Sequence, residues 1–165
     1  MIQIVEANDA LLGKMQTLVN EVFPWQSFDE RMSFWAYKHR RNPIVRRLTR
    51  LFGVSAWVNF WAAVNENGDV CGTTGLYLCP HDEDEAVWLS WFCVDPKLRG
   101  QGIGGKLIEF SIDQARAQNK QFLRLYTSDD PGETAAQNLY EKYGLKIVKE
   151  EKARAHTTIY RELRL

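Results

Sequence analysis

Four of the six residues from Gly100 to Gly105 are glycine, within the stretch PKLRGQGIGGKL (96–107). Inside a helix glycine costs about 1 kcal/mol per residue against alanine, so a helix that opens on several of them needs a compensating use. Close approach supplies one: without Cβ atoms, a helix amino terminus can turn bare N–H groups onto an anion. Three patterns overlap here. Gly100, Gly102 and Gly105 fit G-x-G-x-x-G, with Asp129 following at a later strand end. That dinucleotide fingerprint, however, wants its first glycine hard against a strand in a run of βαβ units. Here DPKLR intervenes and an antiparallel hairpin precedes. Gly100 to Lys106 fit G-x-x-x-x-G-K, but Leu107 stands where a hydroxyl would hold magnesium. The third pattern takes Arg99, Gly102 and Gly104 as R-x-x-G-x-G.

A second stretch, AAQNLYEKYGL (135–145), follows the first in the chain. Together, WFCVDPKLRGQGIGGKLIEF and this helix resemble the GCN5-related N-acetyltransferase superfamily. That family carries R-x-x-G-x-G after its fourth strand and A-x-x-L-Y-E-K-x-G-F later; Leu145 replaces the Phe. The resemblance is firm over 86–150 and architectural over 1–85. It implies an α/β (α+β) fold with a mixed, mostly antiparallel central sheet of about seven strands and helices on both faces. It also implies acetyl-CoA as co-substrate. The backbones of Phe92, Cys93 and Val94 would then meet the pantetheine arm, besides the core packing these side chains provide. Arg99, Gly100, Gln101, Gly102, Ile103, Gly104 and Gly105 would cradle the pyrophosphate, with Lys97 or Lys106 within reach of a phosphate or simply solvated. Tyr140 would protonate the departing thiolate, which a phenol of pKa about 10 can do without itself being ionised at neutral pH.

Two departures from the family pattern stand out. Glu133 occupies a position where the family commonly has Asn, and its expected role is that of a capping acid. Residues 86–94 contain no acid or histidine, so a general base on the fourth strand is missing. Glu85, Asp84 and His81 are the nearby alternatives, in a loop, HDEDE (81–85), that reads as solvated. Cys93 as an acyl-carrying nucleophile is disfavoured because an apolar burial site keeps the thiol protonated. The implied activity is transfer of an acetyl group to a primary amine in a ternary complex. The acceptor is open between a small molecule and a protein amino group. A non-catalytic acyl-CoA-binding regulatory module is the alternative, and the missing strand base is what favours it.

The elements that must position these residues follow from periodicity. IQIVE (2–6) reads as a strand, and Asn8 or Asp9 caps a helix to Val22 with Leu11, Leu12, Met15, Leu18, Val19 and Val22 at helical spacing. SFDE (27–30) is a capping box opening a second helix that runs to Arg41, with Phe28, Met32 and Trp35 on one face. Asn42 and Pro43 start a third, which Gly53 ends. From Trp57 the period becomes that of strands: WVNFWAAV and VCGTTGLYLC form a hairpin turning at Asn67-Gly68. AVWLSWFCV (86–94) has the apolar character of a strand buried on both faces. A helix over 103–118, a strand over 121–127, a helix begun by DPGE (130–133) and two strands, LKIVKEE and HTTIYREL, complete the chain. One N-acetyltransferase domain over 1–165 accounts for all of it.

Composition narrows the remaining classes. Of 165 residues, 21 are Lys or Arg and 21 Asp or Glu, so polyanion binding would need a local patch. The three cysteines, Cys71, Cys79 and Cys93, lack CxxC spacing and sit in apolar segments, the pattern of buried free thiols in a reducing cytoplasm. No metal site is expected. The amino terminus lacks a signal-peptide layout, and no apolar run could span a bilayer, so a cytoplasmic protein without membrane contact is expected. The one basic run is YKHRRNPIVRRLTRLFG (37–53). Its first cations complement a helix carboxyl terminus. Beyond Pro43, Ile44, Val45, Leu48, Leu51 and Phe52 fall within an arc of about 120°, opposite Arg46, Arg47 and Arg50. An amphipathic helix is therefore expected rather than a nucleic-acid surface, with its basic face bordering the acceptor entrance. Oligomeric state is open, a homodimer included.

Overall fold

The change of period at Trp57 is where the continuous sheet begins. The computed structural model describes residues 1–154 and 156–165. The strands are β1 (Gln3–Glu6), β2 (Ala56–Val64), β3 (Val70–Leu78), β4 (Ala86–Val94), β5 (Phe122–Ser128), β6 (Lys146–Lys152) and β7 (Thr157–Arg164). They form one sheet in the order β1-β2-β3-β4-β5-β7-β6. Every neighbouring pair is antiparallel except β4 and β5, which run parallel. Among the described residues, no helix is long and apolar enough to cross a membrane.

Strand alternation divides the core between the two faces. Phe60 and Ala62 of β2 pack with Leu12, Met15, Leu18 and Val19 of α1 (Asp9–Val22). Trp61 and Ala63 point the other way, toward Ile108, Ile112 and Leu107 of α5 (Ile103–Arg116). The mixed sheet with helices on both faces is as expected. Asn8 caps α1, its side chain accepting from the amides of Ala10 and Leu11 at 3.1 Å.

The segment between α1 and β2 departs from the expected helices. The Ser27–Glu30 capping box forms, with the Ser27 amide donating to Glu30 at 2.8 Å. The expected single helix nevertheless breaks into α2 (Phe28–Arg31) and α3 (Ser33–Lys38). At Met32 the backbone N–H divides between the carbonyls of Phe28 and Asp29, at 3.1 and 3.2 Å. The break resets the helical phase. Phe34 and Tyr37, one turn apart, now sit against the Phe60 ring at 4.8 Å each. Of the residues read as sharing one face, Phe28 is 77% exposed and Trp35 44%, while Met32 is half-buried.

The helix α4 (Pro43–Leu51) starts and stops as read: Asn42 accepts from Ile44 N at 2.9 Å, and Gly53 adopts φ 82°. Its apolar arc does not become core. α4 rests on α3 at the rim, not on the sheet, so only Val45 is buried while Ile44, Leu48, Leu51 and Phe52 stay exposed. The basic residues take local partners. Lys38 pairs with Asp9 at 3.2 Å, Arg40 lies 3.9 Å over the Tyr37 ring, and Arg50 pairs with Glu83 at 3.6 Å.

Candidate active site

The parallel seam between β4 and β5 is short. It holds Ala86–Phe122, Val87–Leu123 and Trp88–Arg124 and then stops, while β5 continues to Ser128 paired only with β7. The two strands fork beyond Trp88. The cause lies in β4, where two residues oppose one on β3: the register passes from Thr73–Cys93 to Gly75–Ser90. Within this bulge Trp91 adopts φ 47°, a conformation rare for a bulky residue and costing about 1–3 kcal/mol. Neighbours hold it there. Its indole donates to Ser33 Oγ at 2.6 Å, its carbonyl accepts from Thr73 Oγ1 at 2.5 Å, and Phe23 and Phe34 pack on the ring. The fork leaves one backbone edge of Phe92, Cys93 and Val94 without a strand neighbour, and all three residues line a cleft of about 1540 Å³.

The glycine loop closes one end of that cleft. Gly100 and Gly102 adopt φ 78° and 79° on either side of Gln101, and Gly102 is the cap of α5. Alternating turns of this kind point successive N–H groups into one concavity, where the helix dipole adds to their attraction for an anion. Among the described residues the amides of Gly100 to Gly105 donate to no other backbone group outside the helix. A Cβ at Gly104 would lie 3.3 Å from Leu139, a tight contact that glycine relieves where α5 packs against the next helix. Arg99 is exposed and tethered to the end of β4, its Nε 3.5 Å from the Val94 carbonyl. Arg99, Gly100, Gly102, Ile103, Gly104 and Gly105 line the cleft; Gln101, Lys97 and Lys106 do not.

Across the fork stands α6 (Thr134–Lys142), which carries Tyr140. Its side chain is buried, the ring 5.7 Å from that of Phe92, and the residue lines the same cleft. Burial pushes the Tyr140 phenol well above its ordinary pKa; Glu133 and Cys93 add to the rise and Arg161 opposes it. The hydroxyl therefore keeps its proton at neutral pH. Arg161, on β7 and 2% exposed, fastens α6 to the sheet through Gln137 Oε1 and the Leu145 carbonyl at 2.9 Å and Glu141 at 3.0 Å. Nothing in the sequence marks Arg161, because a cation in a strand normally reads as solvated. Glu133 does not act as a helix cap. Its carboxylate accepts from the Thr127 hydroxyl, from Ser128 Oγ at 2.8 Å and from Ser128 N at 3.2 Å, fixing the far end of β5.

Burial also raises the Cys93 thiol, to about 11, with the Thr73 hydroxyl 3.4 Å away opposing the shift. As expected, it is a poor nucleophile. The HDEDE loop is not the solvated loop expected from sequence. Asp82 is 8% exposed and accepts from the Trp88 indole at 2.9 Å and from Arg124 at 2.6 Å. Arg124 also pairs with Glu85 and Glu162, each at 2.8 Å. Glu85 is thereby committed to an ion pair, while His81 lines the cleft and Asp84 does not. Cys79, His81 and Asp82 offer ligand atoms close enough for a metal, but Arg124 already occupies Asp82 and burial raises the Cys79 thiol to about 12. On the side opposite the glycine loop the lining comes from α1 to α4. There α4 presents Val45, Leu48 and Phe52 to the cleft, while Arg46, Arg47 and Arg50 are not among its lining residues. The apolar face, not the basic one, borders this half.

Comparison with solved structures agrees with this architecture. A GNAT-family acetyltransferase from Staphylococcus aureus Mu50 superposes with a TM-score of 0.73 at 21% identity, covering 99% of this chain and all of that one. An aminoglycoside 6'-N-acetyltransferase complexed with coenzyme A gives 0.72 at 19%, covering 98% and 96%. The ribosomal-protein-S18-alanine N-acetyltransferase from Escherichia coli gives 0.71 at 17%, covering 99% and 94%. No curated protein sequence matches the chain. The sequence model of the acetyltransferase (GNAT) family matches residues 15–145, so it takes in the forked strand, the glycine loop and the Tyr140 helix together: the chain belongs to the GNAT family.

Proposed function

We propose that the protein transfers an acetyl group from acetyl-CoA to a primary amine by direct attack, with both substrates bound in the cleft. The observation that carries this reading is convergence: the forked edge of β4, the amides of the glycine loop and a protonated, buried Tyr140 all line one cavity. At about 1540 Å³ it exceeds the usual 300–1,000 Å³ of a single-ligand pocket, leaving room for a cofactor and an acceptor together. The residues fit the cofactor chemically. The Gly100–Gly105 amides suit a pyrophosphate, Arg99 adds charge beside them, and the free edge of Phe92 to Val94 suits the amides of a pantetheine arm.

The acceptor nitrogen, freed of one proton, attacks the thioester carbonyl and forms the C–N bond. The C–S bond breaks, the leaving thiolate takes the Tyr140 proton, and the nitrogen gives its second proton to water, from which the phenol is restored. With no acid or histidine on β4, the ammonium proton passes to water or to a group elsewhere in the lining, of which His81 is one. We therefore expect kcat/KM for the acceptor to climb with pH toward the amine pKa. Acetyl-CoA-dependent release of free thiol in the presence of amines, with mass detection of the acetylated product, tests the reading. The missing strand base favours one other reading, a module that binds acyl-CoA without turning it over. Tight CoA binding with no amine acetylated across a broad panel would establish that instead.

The cradle has its own test. At φ 79° Gly102 tolerates no β-branched side chain without strain of about 1–3 kcal/mol. Gly102→Val should weaken CoA binding about 10–100-fold by calorimetry while leaving far-UV circular dichroism unchanged. Unaltered affinity would remove the loop from the cofactor site.

A further inference from the structure

The half of the cleft away from the glycine loop is chemically one-sided. Its rim carries Trp25, Phe28 and Phe52, which are 92%, 77% and 55% exposed, and Trp35 and Leu48 join them. Large apolar groups held in water at one mouth mark a binding surface rather than a defect of packing. The charged residues lining this half are Glu21, Asp29 and Glu30, while Arg31 is drawn off to the Pro24 carbonyl at 3.3 Å and is not in the lining. Among the described residues the cleft is lined by no Lys or Arg except Arg99, which lies at the cofactor end. His81 and His156 are the other titratable side chains of basic type that line it. Glu30 is held in place from two directions, by Ser27 at 2.8 Å and by the Tyr126 hydroxyl of β5 at 3.3 Å, so a carboxylate bridges the mouth. Gln26, also in the lining, has a buried side-chain oxygen with no hydrogen-bond partner.

From this we propose that the acceptor is an apolar primary ammonium, its amine carried on an aryl or branched-alkyl body. Carboxylates attract the cation at the mouth, aromatic faces accept both the cation and its body, and the lack of competing Lys or Arg penalises acidic acceptors. The inference rests on the acyl-transfer reading for its chemistry but not for its binding surface. A free arylalkylamine and the amino terminus of a peptide beginning with a bulky apolar residue present the same group. The test therefore carries both.

Intrinsic tryptophan fluorescence, with exposed Trp25 and Trp35 as reporters, is titrated with 2-phenylethylamine, with a Phe-initiated tripeptide amide and with ethanolamine, all without acetyl-CoA. Thiol release is then measured with the same three and with glutamate. We expect one of the aromatic amines to bind and to exceed ethanolamine in kcat/KM by about 100-fold, with glutamate inactive. Which of the two wins identifies the source. Phe52→Ser, at an exposed position where folding is not at stake, should raise KM for the preferred amine about tenfold, well beyond its effect on ethanolamine, and leave CoA affinity by calorimetry unchanged. Trp35→Ala should act in the same direction. Preference for ethanolamine or glutamate, or an equal effect of Phe52→Ser on every amine, would overturn the proposal. Normal CoA binding without aromatic-amine binding would overturn it while sparing acyl transfer; aromatic-amine binding without CoA binding would support it and remove acyl transfer.

Discussion

Replacing Tyr140 with Phe is expected to lower kcat about 10²–10⁴-fold, the usual contribution of a positioned general acid, with CoA affinity unchanged. The ring stays buried against Phe92, so the substitution removes an oxygen and little packing. The pH profile separates this role from a structural one. As the proposed general acid Tyr140 would act through its protonated form, and burial raises its pKa above the ordinary value near 10, so that role would be lost only above that point. The native enzyme should therefore show a rate rising with pH as the amine deprotonates and no descending limb between pH 7 and 10. The Phe variant should keep the rising limb at a much lower level. Full activity in the variant would remove Tyr140 from the chemistry. A descending limb centred below pH 10 that vanished with the substitution would show a phenol ionising in its ordinary range.

Much of this site could be read along the chain because its parts are local. R-x-x-G-x-G is a single loop and Tyr140 a single helical position, and both lie where the sequence placed them. The hairpin, the apolar β4 and the caps at Asn8 and Asn42 are equally local, and the structure has them, while DPGE opens a short 3₁₀ turn (Pro131–Glu133) capped by Asp130 ahead of α6. What escaped was tertiary. The φ of Trp91 comes from Ser33, Thr73 and two phenylalanines distant in sequence, and Trp is not a residue type that signals a left-handed turn. The apolar arc of α4 was correctly periodic, yet periodicity identifies a face without saying what covers it. Here cleft and solvent, not sheet, face most of it. The same gap hid which side of α4 meets the cleft: Leu48 and Phe52 line it, and Arg46, Arg47 and Arg50 do not. Asp82 failed for the opposite reason: an acid in a string of acids reads as solvated until Arg124 and Trp88 are seen beside it.

That buried cluster carries the largest expected effect on stability. Trp88 and Arg124 form the last paired rung of β4 and β5, and Asp82 binds both side chains. The cluster thus pins the fork at its apex. Burial opposes the charge on Arg124, but hydrogen bonds to Asp82, Glu162 and Glu85 outweigh it and hold the guanidinium pKa above its ordinary value. Arg124→Ala would leave the Asp82 carboxylate, its side chain 5% exposed, without its cation and beside two further acids. Losing one partner of a buried pair costs about 3–5 kcal/mol. For a chain of this size that is a fall in Tm of roughly 6–20 °C. Adding Asp82→Asn to Arg124→Met keeps an acceptor for the Trp88 indole while removing the buried charge, and should recover part of the loss. Because the cluster holds the last rung before the bulge parts the strands, Arg124→Ala should also weaken CoA binding at temperatures where the fold persists. A variant that lost Tm but bound CoA normally would show the cluster to be a staple of the sheet with no hold on the cleft.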